Sequence, residues 1–97
     1  MQIIAVASQK GGSGKSTIAI HLAALAVAKG RKTLLADMDR HSQTSTEWGK
    51  QRKNSKPLVA PVPLNKLSEM LSQAKEKNFD TVILDLPPYV DDVVKLV

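Results

Sequence analysis

Several features are scarce or missing in this sequence of 97 residues, and each absence excludes a class of protein. Cysteine is absent, so this portion forms no disulfide and offers no thiolate ligand to a metal, which suits a reducing cytoplasm. The longest apolar stretch is interrupted by His21 and is too short to span a bilayer. A strand pattern and a polar loop stand where a signal peptide would have its apolar core. We therefore expect a cytoplasmic protein without a membrane segment.

Aromatic side chains make up only 3% of the residues, whereas basic ones are abundant and give a net charge of +5. The basic residues concentrate in one connecting segment that contains Lys50, Arg52, Lys53 and Lys56. Such a cluster is typical of a solvated face, and a nucleic-acid patch is the alternative. Because no aromatic residue is interleaved with it, base stacking is not expected there.

The pattern of apolar residues predicts alternating strands and helices. Strands are expected at 2–8, 33–37 and 80–85, an edge strand at 58–60, and helices at 16–29 and 64–77. The first strand reads as a central one covered on both faces, and the first helix as sandwiched between two layers. The polar segment 40–57 shows no periodicity. This alternation predicts an α/β fold with a doubly wound and mostly parallel sheet.

The sequence also predicts the environments of several single residues. We expect His21 to be a hydrogen-bonded core residue, His41 an exposed loop histidine, and Trp48 an anchor for the polar segment. Phe79 and Tyr89 are expected in the core or at an interface.

The first strand leads into a glycine-rich segment, Lys-Gly-Gly-Ser-Gly-Lys-Ser-Thr, at residues 10–17. A strand followed by such a turn and a helix is the layout of a phosphate-binding loop, in which backbone N–H groups surround a polyphosphate. Lys15 is expected to reach the β- and γ-phosphates, and the Ser16 hydroxyl to bind Mg²⁺. The predicted nucleotide-binding residues are Gly11, Gly12, Ser13, Gly14, Lys15, Ser16 and Thr17. Gln9 stands where the general pattern has its first glycine, and Lys10 is an additional lysine.

That second lysine, together with two later motifs, resembles the ParA/MinD superfamily of ATPases. Lys-Gly-Gly-x-Gly-Lys-[Ser/Thr] is similar to their deviant Walker A motif, Asp37-Met38-Asp39 to switch I, and residues 82–88 to Walker B and switch II. The start at residues 2–6 and Thr46-Glu47-Trp48 are most similar to plasmid and chromosome partition ATPases. The resemblance implies a truncated sheet of the P-loop NTPase type. It spans nearly the whole chain, but only the N-terminal portion of such a domain. The terminal residues 93–97 read as an interrupted helix, so residues 1–97 are expected to be a truncated piece of one ParA-like domain, with a complete minimal domain as the alternative.

The resemblance implies ATP and Mg²⁺ as ligands and a nucleotide sandwich homodimer, in which Lys10 reaches the phosphates of the partner subunit. It implies catalytic roles for Lys10, Lys15 and Asp39, the last orienting the attacking water, and a metal site formed by Ser16, Asp37 and Asp85. It further implies a ParB-type adaptor, nonspecific DNA binding and association with the nucleoid. This chain has Arg40-His41 where the family commonly has Pro-Gln, which loosens the switch I turn.

Two other functions remain open from the sequence. A MinD-like ATPase that positions the division site needs a C-terminal amphipathic helix, which these residues do not include. A truncated, non-catalytic module that regulates a full-length homologue is the other alternative.

Overall fold

The computed structural model describes residues 1–6, 15–38, 44–51 and 56–86. The strands are β1 (Gln2–Val6), β2 (Thr33–Asp37), β3 (Leu58–Pro61) and β4 (Thr81–Asp85). The helices are α1 (Lys15–Ala28), α2 (Thr44–Gln51) and α3 (Leu67–Glu76), and a 3₁₀ turn, Leu64–Lys66, leads directly into α3.

The four strands form one parallel sheet in the order β1-β4-β2-β3. β1 and β4 are neighbours, and Val6 lies in register with Asp85. β3 pairs with β2 and lies at the end of the described sheet, so the predicted edge strand is confirmed. The α/β class with a parallel sheet is therefore confirmed.

Two apolar clusters lie on opposite faces of the sheet because successive strand residues point to opposite sides. One cluster joins Leu35 and Ile83 to Ala19 and Ala23 of α1, and Trp48 of α2 packs against it. The other joins Leu34, Ala36, Val82 and Leu84 to Leu67 and Ala74 of α3. Helices α1 and α2 thus cover one face, and α3 covers the other.

Trp48 and Phe79 behave as the sequence predicts. Trp48 is half-buried against the α1 cluster, and Phe79 is buried in the α3 cluster. Tyr89 and His41 lie outside the described residues.

Within the described sheet β1 lies at one end, whereas the sequence predicts a central strand. Among the described strands it has one neighbour, β4, and Ile3 is 40% exposed. An apolar strand sequence is typical of a central strand, but the order of the sheet, which nonlocal pairing decides, places β1 at the end of the described sheet.

Helix α1 is also less covered than its sequence predicts. Its alanines Ala19, Ala23 and Ala26 are buried, whereas Ile18 and Leu25 are 55% and 58% exposed. His21 is exposed, not a core residue as predicted, because it lies on the side of α1 away from the sheet. The small alanine side chains let the helix approach the sheet closely, and Ile20 and Leu22 pack against the same cluster, whereas Ile18 and Leu25 do not.

Helix α2 was not predicted, since its residues are polar and include Gly49. Its presence matters because it lies over the carboxyl end of the sheet.

Candidate functional site

The candidate site is built at the carboxyl ends of the strands, where ligands bind in open α/β sheets. β2 ends at Asp37 and β4 ends at Asp85, and these two residues are in register on adjacent strands. They share the sheet face of Leu35 and Ile83, which is the face covered by α1 and α2. The two carboxylates therefore lie side by side under the helices.

Both carboxylates are buried. Asp85 is fully inaccessible, and Asp37 is 4% exposed. Charged side chains are seldom buried so completely unless they are paired or hydrogen-bonded, and both have such partners.

The partners come from the first turn of α2. The Ser45 hydroxyl donates to Oδ2 of Asp85 at 2.8 Å. Thr46 donates twice to Oδ2 of Asp37, from its backbone N–H at 2.9 Å and from its hydroxyl at 2.8 Å. Hydrogen bonds to an ionised acceptor are stronger than those between neutral groups, so these contacts stabilise both carboxylates in place.

The backbone at this edge continues the pairing of the strands. The N–H of Met38 donates to the carbonyl of Asp85 at 2.9 Å, and the N–H of Leu86 donates to the carbonyl of Val6 at 3.0 Å. Because β1 ends beside Asp85, the chain that leaves β1 starts at the same edge as the two carboxylates.

Of the other predicted site residues, only three fall in described parts of the chain. Lys15 and Ser16 are the first residues of α1, and Thr17 follows them with an exposed side chain. The remaining ones, Lys10, Gly11, Gly12, Ser13, Gly14 and Asp39, lie outside the described residues. The structure thus brings Asp37 and Asp85 together and leaves the roles of the loop residues as predictions.

Ser45 was not singled out from the sequence, and Thr46 was noted only within Thr46-Glu47-Trp48, without a role at the site. A signal was nevertheless present, because Thr44-Ser45-Thr46-Glu47 matches the [Ser/Thr]-x-x-[Glu/Asp] pattern typical of a helix start. That pattern predicts the helix but not the contacts of its hydroxyls, which depend on how the helix lies on the sheet.

A cavity of about 500 Å³ lies at the opposite end of the sheet. Its lining includes Arg31, Lys32, Lys56 and Phe79, near the amino ends of the strands. It is therefore separate from the carboxyl edge that holds Asp37 and Asp85.

Two further features are absent from the described residues, a cluster of metal ligands and a membrane-spanning helix. No group of three or more histidine, cysteine or acidic side chains suited to a metal occurs among them. Nor does any helix in these ranges have the length and apolar character needed to cross a membrane.

The fold and the paired carboxylates define an α/β protein with a candidate ligand site at the carboxyl edge of a parallel sheet. The model of the CobQ/CobB/MinD/ParA nucleotide-binding domain matches residues 4–94. The chain belongs to this family.

Chromosome partition proteins are among the similar proteins. Over 64 residues the chain is 39% identical to the chromosome partitioning protein ParA of Myxococcus xanthus, covering 66% of this chain and 23% of that protein. Over 46 residues it is 46% identical to the chromosome-partitioning ATPase Soj of Thermus thermophilus, covering 47% of this chain and 18% of that protein. This chain thus aligns with a quarter or less of these curated relatives.

Solved structures of partition proteins share the fold of this chain. A plasmid partition protein from Borrelia burgdorferi superposes with a TM-score of 0.62 at 29% identity, over 97% of this chain and 59% of that one. A second such protein from Borrelia burgdorferi, bound to AMPPNP, superposes with a TM-score of 0.62 at 25% identity, over 97% of this chain and 55% of that one.

Proposed function

We propose that this chain is the nucleotide-binding part of a ParA-like ATPase that binds and hydrolyses Mg·ATP and acts in plasmid or chromosome partition. The observation that carries the proposal is the pair of buried carboxylates, Asp37 and Asp85, in register at the carboxyl edge of the sheet. The glycine-rich segment follows the strand that ends beside Asp85. This arrangement supports a phosphate site and a metal site at one edge.

The donor set fits Mg²⁺. Carboxylate oxygens are the ligands that Mg²⁺ prefers, and the ion is usually held by one or two carboxylates together with phosphates and waters. Asp37, Asp85 and Ser16 would hold it, and the ion would neutralise charge on the phosphates. A site with only two carboxylates is therefore sufficient for a metal that arrives with its nucleotide.

The loop residues complete the proposed chemistry. Lys15 and the backbone amides of Gly11 to Gly14 bind the phosphates, with Ser13 and Thr17 lining the same loop. Asp39 orients the attacking water, and Lys10 adds positive charge across a nucleotide sandwich homodimer. A ParB-type adaptor and nonspecific DNA are the proposed partners of that dimer. Partition proteins among the relatives and an AMPPNP-bound neighbour support this assignment.

The phosphate site is tested by calorimetry with Mg·ATP on Lys15→Ala and Arg31→Ala. Loss of a charge-assisted contact should weaken binding by roughly ten- to a hundredfold for Lys15→Ala. Arg31→Ala is the matched control, because Arg31 lies at the amino ends of the strands, where its guanidinium donates to Gln2 Oε1 at 2.6 Å. Equal affinities for the wild type and Lys15→Ala would contradict the assignment.

A non-catalytic nucleotide-binding module is a second candidate, because the matching family model is that of a nucleotide-binding domain. Phosphate release from the purified chain, alone and with DNA, separates the two. Release that is abolished in Lys15→Ala supports an ATPase, and nucleotide binding without release supports the module.

A further inference from the structure

We propose that Ser45 and Thr46 form a hydroxyl clasp that positions both carboxylates of the metal site and couples the docking of α2 to metal–nucleotide binding. The inference rests on the proposed function and assigns positioning roles to two residues outside the predicted site. It is carried by the three hydrogen bonds that join the first turn of α2 to Asp37 and Asp85.

The clasp has a specific geometry. Consecutive residues of one helix reach two different strands, Ser45 to Asp85 on β4 and Thr46 to Asp37 on β2. Neighbouring strands are about 4.8 Å apart, so a single turn can serve both carboxylates only when it lies over the gap between them. The position of α2 and the orientations of the two carboxylates therefore depend on each other.

The two residues of the clasp and the two carboxylates that they contact are all buried. Ser45 and Asp85 are completely inaccessible, Asp37 is 4% exposed and Thr46 is 8% exposed. Water cannot easily replace a lost hydroxyl there, so removal of a donor leaves the carboxylate less well fixed. A carboxylate that must meet a metal in a narrow range of orientations depends on such partners.

Helix α2 has little stability of its own. It is eight residues long and polar, and a helix of this length is not stable by itself in water. Toward its C-terminal half, Trp48 packs on the core cluster and Gly49 lies against Val59. At its first turn, the clasp joins α2 to the sheet.

The clasp also links α2 to the metal site energetically. Coupling between two events is reciprocal: if the clasped arrangement binds the metal more tightly, metal binding must stabilise the docked α2 by the same free energy.

The test compares the affinity of the 97-residue chain for AMPPNP in Mg²⁺ and in EDTA by calorimetry. The ratio of the two Kd values measures the gain from the metal. Ser45→Ala and Thr46→Val should reduce this ratio at least fivefold, with Kd in EDTA changed by less than twofold. Thr46→Ser, which keeps the hydroxyl, should restore it.

Ser68→Ala is the control, since Ser68 is an exposed hydroxyl residue on α3, across the sheet. A second measurement needs no variant: exchange of the Thr46 amide, which donates to Asp37, should slow at least threefold with Mg·AMPPNP but not with AMPPNP in EDTA. This reports coupling that a merely structural hydrogen bond would not show.

The outcomes separate the two proposals. An unchanged ratio in both variants, or a Thr46 amide that is insensitive to the metal, would overturn the clasp while leaving nucleotide binding intact. Failure of the wild type to bind AMPPNP in either buffer would contradict the proposed function itself, and the clasp with it.

Discussion

Replacing Gly49 with alanine tests the placement of α2 on the sheet. A Cβ atom at this position would lie 2.6 Å from Cβ of Val59 and 2.9 Å and 3.0 Å from its two γ-carbons. Real Cβ atoms do not approach other carbons this closely, so one element must shift. Val59 cannot turn aside easily, because its branched side chain is stiff and belongs to β3.

Two effects of opposite sign determine how much Gly49→Ala changes the free energy of unfolding. Alanine is favoured over glycine inside a helix by about 1 kcal/mol, whereas overpacking at a well-packed contact costs about 1–3 kcal/mol. Since the shortest contact involves the Cβ atom of Val59 itself, we expect the upper part of the overpacking range. The net expectation is a loss of about 1–2 kcal/mol in the free energy of unfolding.

Urea unfolding followed by the fluorescence of Trp48 is the assay. Trp48 is the only tryptophan of the chain and precedes Gly49, so its emission reports on α2 directly. Lys50→Ala is the matched control, because Lys50 is exposed on the same helix, and it should change stability by less than about 0.5 kcal/mol.

A double-mutant cycle with Val59→Ala isolates the contact. Removal of the two γ-carbons relieves part of the clash, so the double variant should be more stable than the sum of the single changes by at least about 0.5 kcal/mol. If Gly49→Ala instead stabilises the chain by its helix propensity, with an unchanged emission of Trp48, then α2 does not lie against β3.

Three further changes test other parts of the chain. Lys10→Ala should keep Mg·ATP affinity within a few fold, because Lys15 remains, but lose ATP-dependent dimerisation and about 2.7–4 kcal/mol of transition-state stabilisation, by analogy with a lost oxyanion donor. Dimerisation is measured by sedimentation with and without a non-hydrolysable ATP analogue, for this chain and for one extended to the length of the relatives. If the extended wild type remains a monomer with the analogue, the sandwich dimer is refuted. Gly30→Ala should lower the free energy of unfolding by about 1–2 kcal/mol, because Gly30 has a φ of +78°, which strains residues with a side chain. Gly30→Asn should lower it less. Equal melting temperatures for the wild type and Gly30→Ala would contradict this backbone strain. Leu35→Ala should lower the free energy of unfolding in urea by about 2–5 kcal/mol, because Leu35 is fully buried. Leu58→Ala should lower it much less, because the Leu58 side chain is 52% exposed. Similar losses for the two variants would contradict the assigned core.

Local signals predicted α1, β2, β4 and the helix that became α3. Gly30 stops α1 in the left-handed conformation that its position requires, and its N–H donates to the carbonyl of Val27 at 2.9 Å. The predicted helix at 64–77 begins with a 3₁₀ turn and becomes α-helical from Leu67. These elements were predictable because their caps and apolar periodicity are encoded in neighbouring residues.

Helix α2 escaped prediction for the opposite reason. Its own residues are polar, and Gly49 disfavours a helix by about 1 kcal/mol relative to alanine. What holds it are contacts with distant residues, namely Trp48 on the core and the bonds from Ser45 and Thr46 to the two carboxylates. The glycine that weakens the helix locally is the residue that lets it approach β3.

By itself, the sequence determined that Asp37 and Asp85 each end an apolar strand and that a glycine-rich segment follows another. Those facts are local. If the strands are parallel, they predict a ligand site at the carboxyl edge of the sheet. Only the tertiary structure decided that β4 lies between β1 and β2, which brings the two carboxylates into register and leaves Ile3 exposed. The reason is physical: strand order and helix docking depend on contacts between residues far apart in the chain, and these contacts leave no periodic pattern in the sequence.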